Sequence, residues 1–130
     1  MKLFYRALGE SGSPVIILHG IFGTSDNWLG FGKAISENHR VFLVDQRNHG
    51  QSPWGDEFNY EVMAADLLEF IQEHQLEKPV LIGHSMGGSI ATKTAFKIER
   101  EMGNHPLSKA LQSIFIIDVV EGTAIEALPF

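Results

Sequence analysis

Gly83-His84-Ser85-Met86-Gly87, followed by Gly88, is the stretch of this sequence best suited to chemistry. It is entered from the apolar run Val80-Leu81-Ile82, which places a G-x-S-x-G pattern between an expected strand and an expected helix. A turn of that kind is sharp. Gly83 and Gly87 suit it because side chains there would collide with the neighbouring strand and helix. The turn lifts the Ser85 hydroxyl to a helix N-terminus, where backbone N–H groups and the helix dipole favour developing negative charge. Ser85 is therefore the candidate nucleophile. The plainer alternative is a glycine-rich turn with an incidental serine, and the strand-to-helix context weighs against it. A phosphate-binding loop fits less well, since the stretch lacks the Gly-Lys-Ser/Thr ending of a P-loop and the spacing of a dinucleotide fingerprint.

A serine that attacks an acyl carbon needs N–H donors for the oxyanion it creates. The amide of Met86, next to the nucleophile, is one candidate. The second should come from a loop after an earlier strand. Val15-Ile16-Ile17-Leu18 leads into His19-Gly20-Ile21-Phe22-Gly23, whose glycines let the backbone turn its amides toward the site. Ile21 and Phe22 are both candidates and the sequence does not separate them; Phe22 also fits as a pocket wall. Asp118 ends the run Ile114-Phe115-Ile116-Ile117 and would lie at the same sheet end as Ser85, either to orient a histidine and stabilise its imidazolium form or merely to cap a turn.

These residues must be held by a sheet. The four apolar runs, Val15–Leu18, Val41–Val44, Val80–Ile82 and Ile114–Ile117, are short, rich in β-branched residues and without period-two alternation, as suits strands buried on both faces. Leu3–Leu8 mixes polar and apolar residues and reads as an edge strand. Asn59 is the expected N-cap of a helix from Tyr60 to about Gln75, with Met63, Leu67, Phe70 and Ile71 on one face. A second helix is expected from Ser85 to about Met102, with Gly87, Gly88, Ala91 and Ala95 lying close to the sheet. Asn27–Asn38 reads as a weaker helix, diluted by Gly30 and Gly32. Helices alternating with buried strands imply an α/β fold with a mostly parallel sheet and helices on both faces. Reactive groups then gather at the carboxyl ends of the strands.

The composition agrees. At 130 residues the chain is long enough for a single domain over 1–130, and 44% apolar against 20% charged residues is ordinary for a folded soluble protein. A net charge of -6 without any basic run argues against nucleic acid as a partner. The absence of cysteine removes disulfides, thiolate nucleophiles and Cys-based zinc sites, and fits a cytoplasmic protein. No apolar run has the length of a membrane span, and the first residues lack a signal-peptide pattern. No His or carboxylate pair shows ligand spacing on one element, so neither a metal nor a cofactor is expected.

The elbow around Ser85, the His19-Gly20 loop and the strand order together resemble the α/β-hydrolase superfamily, over the whole chain but only about the first half of that fold. Asp45-Gln46-Arg47-Asn48-His49-Gly50-Gln51-Ser52 is similar to the D-x-R-x-x-G-x-S loop of many members. Residues 14–90 resemble small bacterial esterases, acyl-thioesterases and mitochondrial abhydrolase proteins. Residues 114–127, with Ile117-Asp118-Val119-Val120-Glu121-Gly122-Thr123-Ala124, resemble protein phosphatase methylesterase. An intermediate homologue and a chain spliced from two parents both fit that pairing. The resemblance implies a partial α/β-hydrolase fold without its C-terminal strands and cap, and a triad in the order serine, acid, histidine. It supports Asp118 as the acid and a small acyl ester or thioester as substrate. A carboxylate-nucleophile hydrolase is disfavoured, because Ser85 stands at the elbow.

All six histidines (19, 39, 49, 74, 84 and 105) precede Asp118, so the base is expected from outside residues 1–130. His19 and His84 fall in motifs that the family uses for loop structure or pocket lining, His49 reads as structural, and His39, His74 and His105 read as surface residues. A protein methylesterase, and an inactive truncated or engineered fragment that folds, dimerises or binds, are the alternative readings. A sheet edge beside the last strand would be left open for a second copy or a complementing chain.

Overall fold

The computed structural model describes residues 1–102 and 113–117. Each apolar run becomes a strand. The elements are β1 (Tyr5–Leu8), β2 (Pro14–Leu18), a 3-10 turn (Ser25–Trp28), α1 (Leu29–Ile35), β3 (Arg40–Val44), α2 (Tyr60–Glu73), β4 (Val80–His84), α3 (Met86–Met102) and β5 (Ser113–Ile117). They build a five-stranded sheet in the order β1-β3-β2-β4-β5. The pairs β2–β3, β2–β4 and β4–β5 are parallel; β1 runs antiparallel to β3 at the edge. The fold is thus α/β, a mostly parallel sheet with helices on both faces, as its sequence leads one to expect.

The order of the strands decides where the helices go. From the central β2 the chain steps to one side to form β3, then crosses back over β2 to form β4, then continues outward to β5. Parallel crossovers are right-handed. Opposite directions of travel therefore put α1 on one face of the sheet and α2 on the other, and α3 shares the face of α2. The core divides accordingly. On one face Ile16, Leu18, Phe42, Val44 and Leu81 pack with Met63, Leu67 and Phe70 of α2 and Met86 and Ile90 of α3. On the other, Val15, Ile17, Val41, Leu43 and Ile82 pack with Trp28, Leu29 and Ile35. Every residue of β2 is buried, which is why its sequence shows no alternation.

Local chemistry sets the helix ends. Asn59 caps α2, its Oδ1 accepting the Val62 N–H at 2.9 Å. Past the helix, Gln75 and Lys78 take left-handed backbone and Pro79 leads into β4. The region expected as one helix over Asn27–Asn38 starts earlier and divides in two. Thr24 caps Ser25–Trp28 by accepting from Asp26 N–H, while Asn27 Oδ1 accepts the Thr24 N–H at 2.8 Å. α1 follows for a bare two turns. Gly32 lets it lie on the sheet, since a Cβ there would meet Leu43 Cδ2 at 3.1 Å. On α3 the buried stripe runs through Ile90, Ala91, Thr94 and Ile98, with Ala95 only half-buried.

β5 is covered least. Phe115, Ile116 and Ile117 are 56%, 49% and 36% exposed. Leu67→Ala should cost about 2–5 kcal/mol by opening a cavity between α2 and the sheet, whereas Phe115→Ala should cost less than about 1 kcal/mol; urea unfolding of the two variants measures the difference.

Candidate active site

β4 enters the site and α3 leaves it, with Ser85 alone between them. Its φ of 53° lies in the left-handed region, which costs a non-glycine residue roughly 1–2 kcal/mol. Its neighbours hold it there. The Ser85 N–H donates to the Ile117 carbonyl of β5 at 3.0 Å, and the Ser85 carbonyl accepts the Gly88 N–H at 2.9 Å. The flanking glycines are required by contact. A Cβ on Gly83 would lie 2.4 Å from the Gly87 backbone, and one on Gly87 would lie 2.3 Å from the Leu18 carbonyl oxygen. The first N–H groups of a helix have no intrahelical acceptor, and the Met86 N–H beside Ser85 has none among the described residues.

The loop after β2 lies directly against this turn. A Cβ on Gly20 would sit 2.9 Å from His84 Nδ1 and 3.2 Å from Ser85 Cβ. The Gly23 N–H donates to the Gly20 carbonyl at 3.0 Å and closes a tight turn around Ile21 and Phe22. Phe22 has a φ of 63°, and its N–H donates to His49 Nε2 at 3.2 Å. The Ile21 N–H has no acceptor among the described residues. The two amides that the sequence leaves equivalent are therefore distinct: one is occupied by an imidazole and one is open.

His49 is structural, as its motif suggests, but its partner, the Phe22 amide, could not be read from the sequence. Its Nδ1–H donates to the Arg47 carbonyl at 2.9 Å, which leaves Nε2 unprotonated and able to accept from Phe22. His19, 1% exposed, is bonded in the same sense. Its Nδ1–H donates to the Gly20 carbonyl at 2.8 Å, and its Nε2 accepts the Gln46 N–H at 3.0 Å. Burial pushes its pKa down from 6.5 to about 4, so the ring is neutral across the physiological range. The two imidazoles lie 4.9 Å apart, centre to centre. His74 is not the ordinary surface residue its neighbours in sequence suggest, because its ring packs on Phe70 at 4.2 Å and on Tyr5 at 4.7 Å.

The D-x-R-x-x-G-x-S loop that carries His49 is held at both ends. Buried Asp45 accepts from the Ser25 N–H at 2.7 Å and the Gln51 N–H at 2.9 Å. Gly50, at a φ of 53°, leaves the space that Asp45 Oδ2 fills. Arg47 grips Asp66 of α2 through two N–H groups at 2.6 and 3.0 Å, and that carboxylate raises the pKa of the guanidinium. Ser85, Met86, Ile21, Phe22, Gly83 and Gly87 thus meet at the carboxyl ends of β2 and β4. Asp118, His105 and the remainder of the 118–127 stretch lie outside the described residues. No described helix is long and apolar enough to cross a membrane.

The sequence matches the alpha/beta hydrolase fold family over residues 13–102. Among curated proteins it is similar to esterase YbfF of Escherichia coli, 38% identical over 105 residues that cover 77% of this chain and 41% of that protein. It is also similar to a probable alcohol acetyltransferase of Saccharomyces cerevisiae, 43% identical over 94 residues, 68% of this chain and 28% of that one. Of solved structures, a marine microorganism esterase superposes with a TM-score of 0.75 at 43% identity, covering 88% of this chain and 41% of the other. An esterase from Exiguobacterium antarcticum gives 0.75 at 30% identity, covering 90% and 41%. The chain therefore spans less than half the length of these relatives.

Two outcomes are expected. Ser85→Gly should be more stable than Ser85→Ala by about 1 kcal/mol in urea unfolding, since only glycine accepts the left-handed backbone freely. The depressed pKa of His19 means that the unfolded chain takes up a proton that the folded chain refuses. Its contribution is complete above pH 6.5 and is lost as the pH falls to about 4, a change of about 3 kcal/mol. His19→Gln should flatten that part of the stability–pH curve.

Proposed function

The chain belongs to the alpha/beta hydrolase fold family, and on that premise we propose that it carries the nucleophile half of a serine hydrolase acting on small acyl esters or thioesters. The observation that carries the reading is Ser85 itself: a non-glycine residue kept at a φ of 53° on an open helix N-terminus, against the Gly20–Ile21 loop. Such strain persists only where surrounding contacts impose it, and it clusters at functional sites.

In the proposed reaction the Ser85 hydroxyl oxygen attacks the acyl carbon as its proton passes to a base. The carbonyl electron pair moves to oxygen, and that oxyanion accepts from the N–H groups of Ile21 and Met86. Ile21 is preferred to Phe22 because the Phe22 N–H is already donated to His49. The tetrahedral intermediate collapses, the alkoxide or thiolate leaves with the proton, and water repeats the sequence on the acyl-serine. Asp118 would orient the base. His19 and His49 are unsuited to that role, since each has both ring nitrogens engaged by the backbone. The base is assigned to a histidine outside residues 1–130, on the rest of a longer chain or on a complementing chain, whose next strand would also cover the apolar edge of β5.

A fluorophosphonate probe should label Ser85 slowly. The rate should fall roughly 10²–10⁴-fold below that of a complete serine hydrolase, the usual contribution of a positioned general base, and free imidazole should accelerate it. Mass spectrometry of the labelled peptide gives the site. Labelling of Ser85→Ala at the parent rate would overturn the assignment.

A further inference from the structure

The turn that carries the open Ile21 amide separates two hollows, and they differ in chemistry. The larger, about 410 Å³, is lined by Ile21, Phe22, His49, Trp54 and Phe58, among others. That volume lies in the usual range of small-molecule sites. The polar side chains of His49 and Asn48 on its wall are already engaged. Both nitrogens of His49 are bonded to backbone, and the ring lies 5.9 Å from that of Phe58, centre to centre. The Asn48 side chain exchanges hydrogen bonds with the Gly55 backbone, donating at 3.3 Å and accepting at 2.8 Å. A ligand there meets mainly the carbon of Ile21, Phe22, Trp54 and Phe58.

The smaller hollow, about 260 Å³, lies on the other side of the same turn and is lined by Gly20, Asn27, Trp28 and His84. Asn27 has its oxygen engaged by the Thr24 N–H, but its amide nitrogen has no acceptor among the described residues. The His84 ring nitrogens likewise have no hydrogen-bond partner among the described residues. This side keeps polar groups to offer.

Phe22 stands between the hollows. The His49 clamp holds its backbone left-handed, and its ring projects outward, 82% exposed; Trp54, across the larger hollow, is 76% exposed. Two large apolar rings held in water around one concavity mark a surface made to be covered. The acyl and alcohol arms of an ester diverge from its carbonyl, and an oxyanion held on the Ile21 amide sends them to opposite sides of this turn. Resting on the ester-hydrolase reading above, we infer that the Ile21–Phe22 turn sorts the substrate's two arms, with an unbranched alkyl arm lying between Phe22, Trp54 and Phe58 and the smaller or more polar arm lying between Trp28 and His84.

The two tryptophans of the chain fall one to each hollow, which makes the inference testable without any reaction. Bromoalkanes quench tryptophan on contact, so 8-bromo-1-octanol is the probe. Trp28→Phe, which retains Trp54, should be quenched saturably; Trp54→Phe, which retains Trp28, should lose at least nine-tenths of that effect. Equal quenching in the two variants, quenching of Trp28 alone, or none up to the solubility limit of the alcohol would overturn the inference. Ser85→Ala should bind the probe as the parent does, so failed labelling of Ser85 together with quenching confined to Trp54 would sink the hydrolase reading and leave an alkyl site. Where Ser85 does label, Trp54→Ala should reduce the preference for a long-alkyl over an ethyl fluorophosphonate about tenfold. An unchanged preference would overturn the assignment of the arm.

Discussion

The site depends on a contact that leaves no room for one carbon atom. The end of β2 and the start of α3 approach so closely that a methyl group on Gly87 would lie 2.3 Å from the Leu18 carbonyl oxygen. That approach brings the Gly20–Ile21 loop over Ser85, and it ties both sides of the site to the most deeply buried strand. Gly83 makes the matching allowance on the β4 side. Ser85 therefore inherits its position from backbone packed against backbone. The roughly 1–2 kcal/mol of strain at Ser85 is tolerated because β2, β5 and α3 all hold it in place.

The loop after β3 does the second part of the positioning, with hydrogen bonds rather than packing. Asp45, His49 and Arg47 each reach a different element: the 3-10 turn, the Phe22 amide and α2. His19 links the β2 loop to Gln46 in the same way. Buried polar groups of this kind cost free energy wherever one is left unsatisfied, and here Gln46 Oε1 has no hydrogen-bond partner among the described residues. Neutral imidazoles suit the task, because each offers one donor and one acceptor without the desolvation cost of a charge.

Much of this was legible in the sequence. β2, β3 and β4 declare themselves as unbroken apolar runs because both faces are covered, and α2 declares itself through Asn59 and a one-sided apolar stripe. The elbow glycines announce the turn, since a missing side chain is itself the signal. What could not be read depends on contacts between distant parts of the chain. Nothing in His19-Gly20-Ile21-Phe22-Gly23 tells which amide is free, because the answer lies in a histidine 27 positions later. The split of the first helix turns on the Thr24–Asn27 exchange and on Gly32 lying under Leu43. His74 looks exposed from its charged surroundings, yet an aromatic cluster formed by β1 and α2 receives it.

The hydrogen bond from the Ser85 amide to the Ile117 carbonyl also gives the site a history. During synthesis the ribosome delivers β2, β3 and β4 before β5, so the serine exists for a time beside a sheet that has not yet received the strand its amide will meet. The left-handed turn at Ser85 therefore gains this one of its hydrogen bonds only once the last of the described strands is in place.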